Sequence, residues 1–365
     1  MLICGISIRM SRITFRGLQH IAWVWLLLSA FVTPGAAQEE RPHVLILYPY
    51  YSNTAPFQAI GSAFKTALAR EIGKPVQFYE EPLSLDRYLD PALESSYAEL
   101  LGKRSAKYGI DLIVPIGGPT AKFVVQHRER AFPGIPIVFL SVDARIVSYE
   151  LLRRNGTLIA QPISSVGWVE DILKIAPDTT NIVYVAGDSL LERFWTNTER
   201  RELQIFNNRI NFTWLEGLSI DQIAKRVSAL PPHSFIFVGL MIEDAEGVTY
   251  SGDEGLQRLY ATANAPIYGL FRSQMGKGIV GGRLYQDQAQ GIHAANAATR
   301  ILRGEPAASI PGEILPMGSP VYDWRELKRW GISEDRLPPG SSILSGSRRS
   351  GSNTDGILQA SPCSL

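Results

Sequence analysis

At 365 residues, with 45% hydrophobic residues and a formal net charge of +1, the chain is long enough to bury one large core or two medium ones. The near-neutral balance argues against nucleic acid as a partner, because phosphate backbones are held by a basic surplus. The two cysteines, Cys4 and Cys363, stand at the extreme ends, and His20, His43, His127, His233 and His293 are scattered with no HExxH or Cys/His cluster. No disulfide or thiol nucleophile is therefore expected in the folded middle, and no metal or other cofactor.

In chain order, residues 1–37 read as a secretory signal peptide. Arg9, Arg12 and Arg16 precede an apolar run over 21–32, and Gly35, Ala36 and Ala37 supply small residues for a peptidase. An uncleaved N-terminal membrane anchor is the alternative. Either way the domain that follows is expected outside the cytoplasm, in the periplasm, and the rest of the chain has no apolar run long enough to span a bilayer.

From His43 strands and helices alternate. Strands are expected over 43–48, 76–79, 111–116 and 135–140, and helices over 57–72 and 93–108. Phe57, Ile60, Phe64, Leu68 and Ile72 mark one face of the first helix, which Gly73 ends. A third helix starts after Gly117 and Gly118. Four βα units in about a hundred residues indicate a doubly wound parallel sheet. A second series follows: helix 166–175 stopped by Pro177, strand 181–186, helix 190–206, strand 210–214, helix 220–230, strand 234–240, helix 254–263 and strand 266–270. The fold class is thus α/β, two doubly wound Rossmann-like lobes with a cleft between them, the usual place for a ligand.

The stretch that organises this scheme is GIDLIVPIGGPTAKFVVQHRER, 109–130. Two glycines at the change from strand to helix let the backbone approach a ligand, and the positive end of the helix dipole points at it. A tight turn with no ligand is the alternative reading.

The segment GKGIVGGRLYQDQAQGIHAANAATRILRGEPAA, 276–308, resembles the last long helix of type I periplasmic binding proteins, where the chain crosses from the second lobe back to the first near 281–286. The resemblance implies an N-terminal lobe of 41–145 plus 283–308 and a C-terminal lobe of 146–282 plus 309–338. More narrowly, VLILYPYYSN, GGPTAKFVVQHRERAFPGIPIVF, the IYGLF and GIVGG stretches and PVYDWRELKRWGISEDRLPPG resemble the extracytoplasmic sensing region of certain bacterial hybrid sensor histidine kinases. That region is itself similar to ABC-transporter solute-binding proteins, including aromatic amino-acid binders. The implied function is the small-solute sensor input of a two-component histidine kinase whose kinase catalytic region this chain lacks, so it is not an enzyme. The alternative is the periplasmic solute-binding subunit of an ABC importer. The implied partners are a small organic solute, such as an amino acid or aromatic carboxylate, and a membrane kinase or ABC permease, with homodimers common for such regions.

The tail, 341–365, is poor in apolar residues and reads as disordered. Codon degeneracy allows a juxtamembrane-like sequence in a shifted frame from Gly346 onward, so a frameshift origin and an ordinary flexible tail are both open.

Candidate ligand residues follow from loop position. In the first lobe they are Tyr50, Tyr51, Ser52 and Asn53 after the first strand, Gly117, Gly118, Pro119 and Thr120 after the third, and Ser141 and Asp143 after the fourth. Thr120 is expected to offer its hydroxyl to a carboxylate beside free N–H groups. In the second lobe they are Asp188, Ser189, Met241, Glu243, Phe271 and Arg272, with Tyr285 at the crossover. Arg272 suits a carboxylate, Glu243 or Asp188 an amine, and Tyr50, Tyr51 and Phe271 an apolar or aromatic body.

An enzyme reading rests on Gly187-Asp188-Ser189-Leu190, the short motif of GDSL-type serine hydrolases. That chemistry needs a base, normally in Asp-x-x-His, and none occurs: Gln290 stands three residues before His293. The spacing from Gly117 to Lys122 is likewise wrong for a P-loop.

Overall fold

Strands with no polar face form the heart of the first lobe. The computed structural model describes residues 41–84, 90–142, 155–160, 162, 165–344 and 357–359. The expected signal lies outside them, as does Asp143. β1 (His43–Tyr48), β3 (Leu112–Pro115), β4 (Ile137–Leu140) and β5 (Gly156–Ala160) are buried almost throughout, as strands covered by helices on both faces must be. β2 (Gln77–Pro82) and β11 (Glu313–Ile314) close the edges with exposed polar groups. The order is β2-β1-β3-β4-β5-β11 and every pair is parallel. Chain order reverses between β1 and β3, which leaves a crevice beyond their carboxyl ends.

The second lobe repeats the device. β6 (Asn181–Val185), β7 (Asn211–Leu215), β8 (Ser234–Val238) and β9 (Ile267–Tyr268) run parallel in the order β7-β6-β8-β9, with the reversal between β6 and β8. A small sheet, β10 (Gly281–Gly282), β12 (Val321–Asp323), β13 (Ser342–Leu344) and β14 (Ile357–Gln359), extends this part of the molecule.

Two boundaries differ from the sequence reading. β5 and β11 both belong to the first sheet, so residues 156–160 and 313–314 sit in the first lobe and not the second. The run at 156–160 opens with Gly156 and Thr157 and holds only three apolar residues, Leu158 to Ala160, too few to announce itself as a strand. β13 and β14 lie in the stretch whose composition reads as disordered, yet β13 pairs with β12 and with β14, because backbone pairing asks little of side-chain hydropathy.

The first lobe is covered by α1 (Phe57–Ile72), α2 (Pro91–Tyr108) and α3 (Gly118–Ala131), and the second by α4 (Ser165–Ile175), α5 (Leu190–Glu202), α6 (Ile220–Val227) and α7 (Glu254–Thr262). After β10 the chain crosses back as α8 (Asp287–Leu302), whose Ala294, Ala297, Ala298 and Ile301 share one core with Ile60, Phe64 and Leu68 of α1. The crossing is tied down on the second-lobe side. Arg283 donates two hydrogen bonds to buried Asp171 of α4, both 2.8 Å, while Trp168 Nε1 donates to the Arg283 carbonyl at 2.9 Å. Residues from Pro42 onward form one compact unit.

Small residues let α8 and α1 approach closely. A Cβ on Gly291 would lie 2.4 Å from the Ile60 carbonyl oxygen and 2.8 Å from the Phe64 nitrogen, both backbone atoms. Gly291→Ala is expected to lower stability by about 1–3 kcal/mol through overpacking. Trimming exposed Ile292 on the same helix to Ala is expected to change little. Urea denaturation of both variants checks this.

Candidate functional site

The carboxyl ends of the two sheets face a common cavity of about 610 Å³. From the first lobe it is lined by Tyr50 after β1, Gly117, Gly118 and Pro119 after β3, and Ser141 after β4. From the second come Leu270 and Phe271 after β9, and Tyr285 from the crossover completes the wall. All of these except Leu270 are residues that loop position singles out. Gly117 has φ 87 and ψ 164, a conformation open essentially to glycine alone, and it caps α3. The first N–H groups of α3 have no intrahelical acceptor and point outward at the positive end of the helix. Ser141 also sits at positive φ, 56, beside the cavity. Phe271 stacks on Tyr285 with ring centroids 5.7 Å apart, and the Trp168 ring meets Tyr285 edge-on at 5.6 Å. With the Trp168 N–H spent on the Arg283 carbonyl, this aromatic wall is fixed by hydrogen bonding as well as by packing.

Other sequence candidates serve the scaffold. Thr120 is fully buried, and its hydroxyl donates back to the carbonyls of Ile116 and Gly117 at 2.8 Å, so it closes the turn and does not face a carboxylate. Ser189 caps α5 in a capping box: its hydroxyl accepts from Glu192 N at 3.4 Å while Glu192 accepts from Ser189 N at 2.9 Å. Glu192 also accepts from the N–H groups of Ile242 and Glu243, stitching the loops after β6 and β8 together. Asp188 pairs with Arg193 at 3.3 Å. Met241 packs beside Gly255 in a second-lobe core, and neither Glu243 nor Arg272 is among the lining residues. Tyr51 and Ser52 are exposed. Asn53 instead joins the lobes: its side chain donates to Ser251 Oγ at 3.1 Å and its carbonyl accepts from Gly252 N at 2.9 Å. For the serine-hydrolase reading, the Ser189 hydroxyl meets the Glu192 N–H and is hydrogen-bonded to no histidine among the described residues, so it has no base beside it.

Sequence reasoning missed the residues that helices contribute. Lys122 and Phe123 of α3 lie one turn beyond the glycines, and Lys122 has no ion-pair partner among the described residues. From α5 come Leu190 and Phe194, both largely exposed, then Leu191, Trp195 and Glu199. The last three are spaced i, i+4, i+8, so one helical face carries them all. The signal available was a carboxylate standing in line with an apolar stripe.

Glu199 is 3% exposed. Burial pushes its carboxyl up to about 8, opposed by the Tyr184 hydroxyl beside it. Glu192 is likewise pushed up by burial, to about 7, with backbone N–H donors pulling the other way. A carboxyl whose folded pKa is raised holds its proton more tightly in the folded chain. Its stabilisation is complete below the ordinary value of 4.5 and is lost as pH rises toward 8. Glu199→Gln, which cannot ionise, is therefore expected to gain stability over the parent by up to about 1.4 kcal/mol per pH unit across that window. Denaturation of the ligand-free pair at pH 5, 6.5 and 8 measures the difference.

Among the described residues no helix is long and apolar enough to cross a membrane, and no His, Cys, Asp and Glu cluster could hold a metal ion. No family model and no curated protein sequence matches the chain. Solved structures do match. An ABC domain from Streptococcus pneumoniae in complex with L-Trp aligns over 84% of this chain and 100% of its own, with 16% identity and a TM-score of 0.59. A 5-methylthioribose transporter solute-binding protein from Thermotoga lettingae, in complex with that sugar, covers 82% and 92% at 14% identity and a TM-score of 0.52. An ABC transporter solute-binding protein from Bacillus halodurans with bound myo-inositol covers 81% and 99% at 10% identity and a TM-score of 0.51. The chain has the fold of the periplasmic solute-binding proteins, two Rossmann-like lobes around a shared cleft.

Proposed function

We propose that this chain is an extracytoplasmic binding module whose lobes close on a small organic solute, with no covalent chemistry of its own. The observation that carries the reading is the cavity of about 610 Å³ at the switch points of both sheets, walled mainly by aromatic and aliphatic side chains with a few polar groups. Its size and lining are those of a small-molecule site. An amino acid or an aromatic carboxylate suits it best. Tyr50, Phe271 and Phe194 offer faces for the body, while Lys122 and the amino end of α3 offer positive potential to an anionic group.

Such a module serves either of two machines. The sequence stretches that resemble sensing regions favour the input of a membrane histidine kinase. The importer subunits among the structural neighbours favour delivery to an ABC permease. A kinase or response-regulator frame beside the gene supports sensing; permease and ATPase genes there support import.

A thermal-shift screen of the purified chain against amino acids, aromatic acids and sugars tests binding, since a solute that binds only the folded state raises the melting temperature. At least one class is expected to give a saturable shift. Phe271→Ala is expected to weaken that solute roughly tenfold by removing an aromatic face. No shift from any class, or a shift indifferent to Phe271→Ala, contradicts the reading.

A further inference from the structure

The cavity wall carries a buried carboxyl with an unanswered valence among the described residues. Glu199 is 3% exposed and lines the cleft, and its Oε2 has no hydrogen-bond partner among the described residues. A buried carboxyl oxygen left without a hydrogen-bond partner is costly in either protonation state, and a native structure keeps one where something else supplies the partner. Nothing in the capping of α5 requires it: that work falls to Glu192. Nor does an ion pair: no cationic side chain among the described residues pairs with Glu199, and Lys122 is on the opposite lobe.

Its surroundings indicate which donor is wanted. Trp195 stands one turn before Glu199 on the same face of α5, with Phe194 edge-on to Trp195 at 5.3 Å. Tyr184 of β6 places its hydroxyl beside the carboxyl. A carboxylate on a wall that also carries aromatic rings suits a cation, and the low polarity of the walls strengthens the attraction. A neutral sugar would instead ask for several hydrogen-bonding side chains at this end, where rings predominate.

We propose that Glu199 receives the cationic nitrogen of the solute, a primary or secondary ammonium carried on an aromatic or apolar body, with the rings of Tyr184 and Trp195 beside it. This rests on the solute-binding reading and narrows its ligand class to amines. It also moves the amine position from Asp188, which pairs with Arg193, and from Glu243, which does not line the cavity, to the wall of the second lobe.

The groups facing Glu199 fix what binding does to protons. They are the Tyr184 hydroxyl from β6 and Glu202 on its own helix, and neither is a cation. Across the cavity stand Lys122 and the Glu94–His127 pair. Burial favours the protonated form of the empty site, so an entering ammonium is expected to replace that proton, and the proton leaves to solvent. Charge at the site balances before and after.

Calorimetric titration of the whole chain at pH 7 with tryptamine, indole-3-propionate and myo-inositol tests this. Tryptamine is expected to bind at least tenfold more tightly than indole-3-propionate, with close to one proton released when two buffers of different ionisation enthalpy are compared. Glu199→Gln is expected to abolish both the preference and the proton release. Should that variant fail to fold, proton release by the parent chain decides the matter alone. Binding of the acid or the sugar without the amine overturns this assignment and leaves the solute-binding reading standing. Tryptamine binding without proton release, or unchanged in a folded Glu199→Gln, also overturns it. Absence of binding by all three, together with a blank thermal-shift screen, overturns both.

Discussion

A parallel sheet cannot turn back on itself tightly; each strand needs a crossover, and the crossovers have one hand. Once the chain winds outward from β1 in one direction and from β3 in the other, the two crossovers part and leave a crevice at the carboxyl ends. The second lobe is under the same constraint between β6 and β8. The site follows from that geometry before any individual side chain is considered. Two crevices brought face to face make a cavity lined by the loops that follow the strands and by the helices those loops lead into.

What holds the crevices together is packing across the crossover. The alanine-rich face of α8 lies on α1, while Arg283, just before α8, is fastened to Asp171 and Trp168 of the other lobe. One short segment therefore belongs structurally to both lobes. Tyr285 lies within it, bonded through its N–H to the Leu270 carbonyl and stacked on Phe271, so the cavity's aromatic wall and the link between lobes are the same piece of chain. A solute touching Tyr285 acts directly on the segment that relates the lobes.

The strands and the glycine turn were legible because period, length and backbone freedom are local properties. The apolar run before Gly117, the pair of glycines and the Phe57 to Ile72 stripe announce themselves within a few residues. Roles decided at a distance were not legible. Thr120 looked like a ligand contact because its position permits one, but carbonyls four and three residues back take its hydroxyl. Ser189 and Asp188 follow a strand as ligand residues do, yet one caps a helix and the other pairs with Arg193. Glu199 sits thirteen residues past the end of β6's expected strand signal, 181–186, on a helix that reads as an ordinary charged surface. The Tyr184 hydroxyl that meets it comes from another element, and no local pattern carries that information.

Hydrogen–deuterium exchange, with and without a solute identified by the thermal screen, measures the central claim most directly. If the lobes grip the solute between them, protection rises together in 117–126, 190–199 and 268–272, on both sides of the cavity. Protection confined to one lobe, or centred on the separate hollow near Asn207, Asn208 and Asn211, would contradict the account.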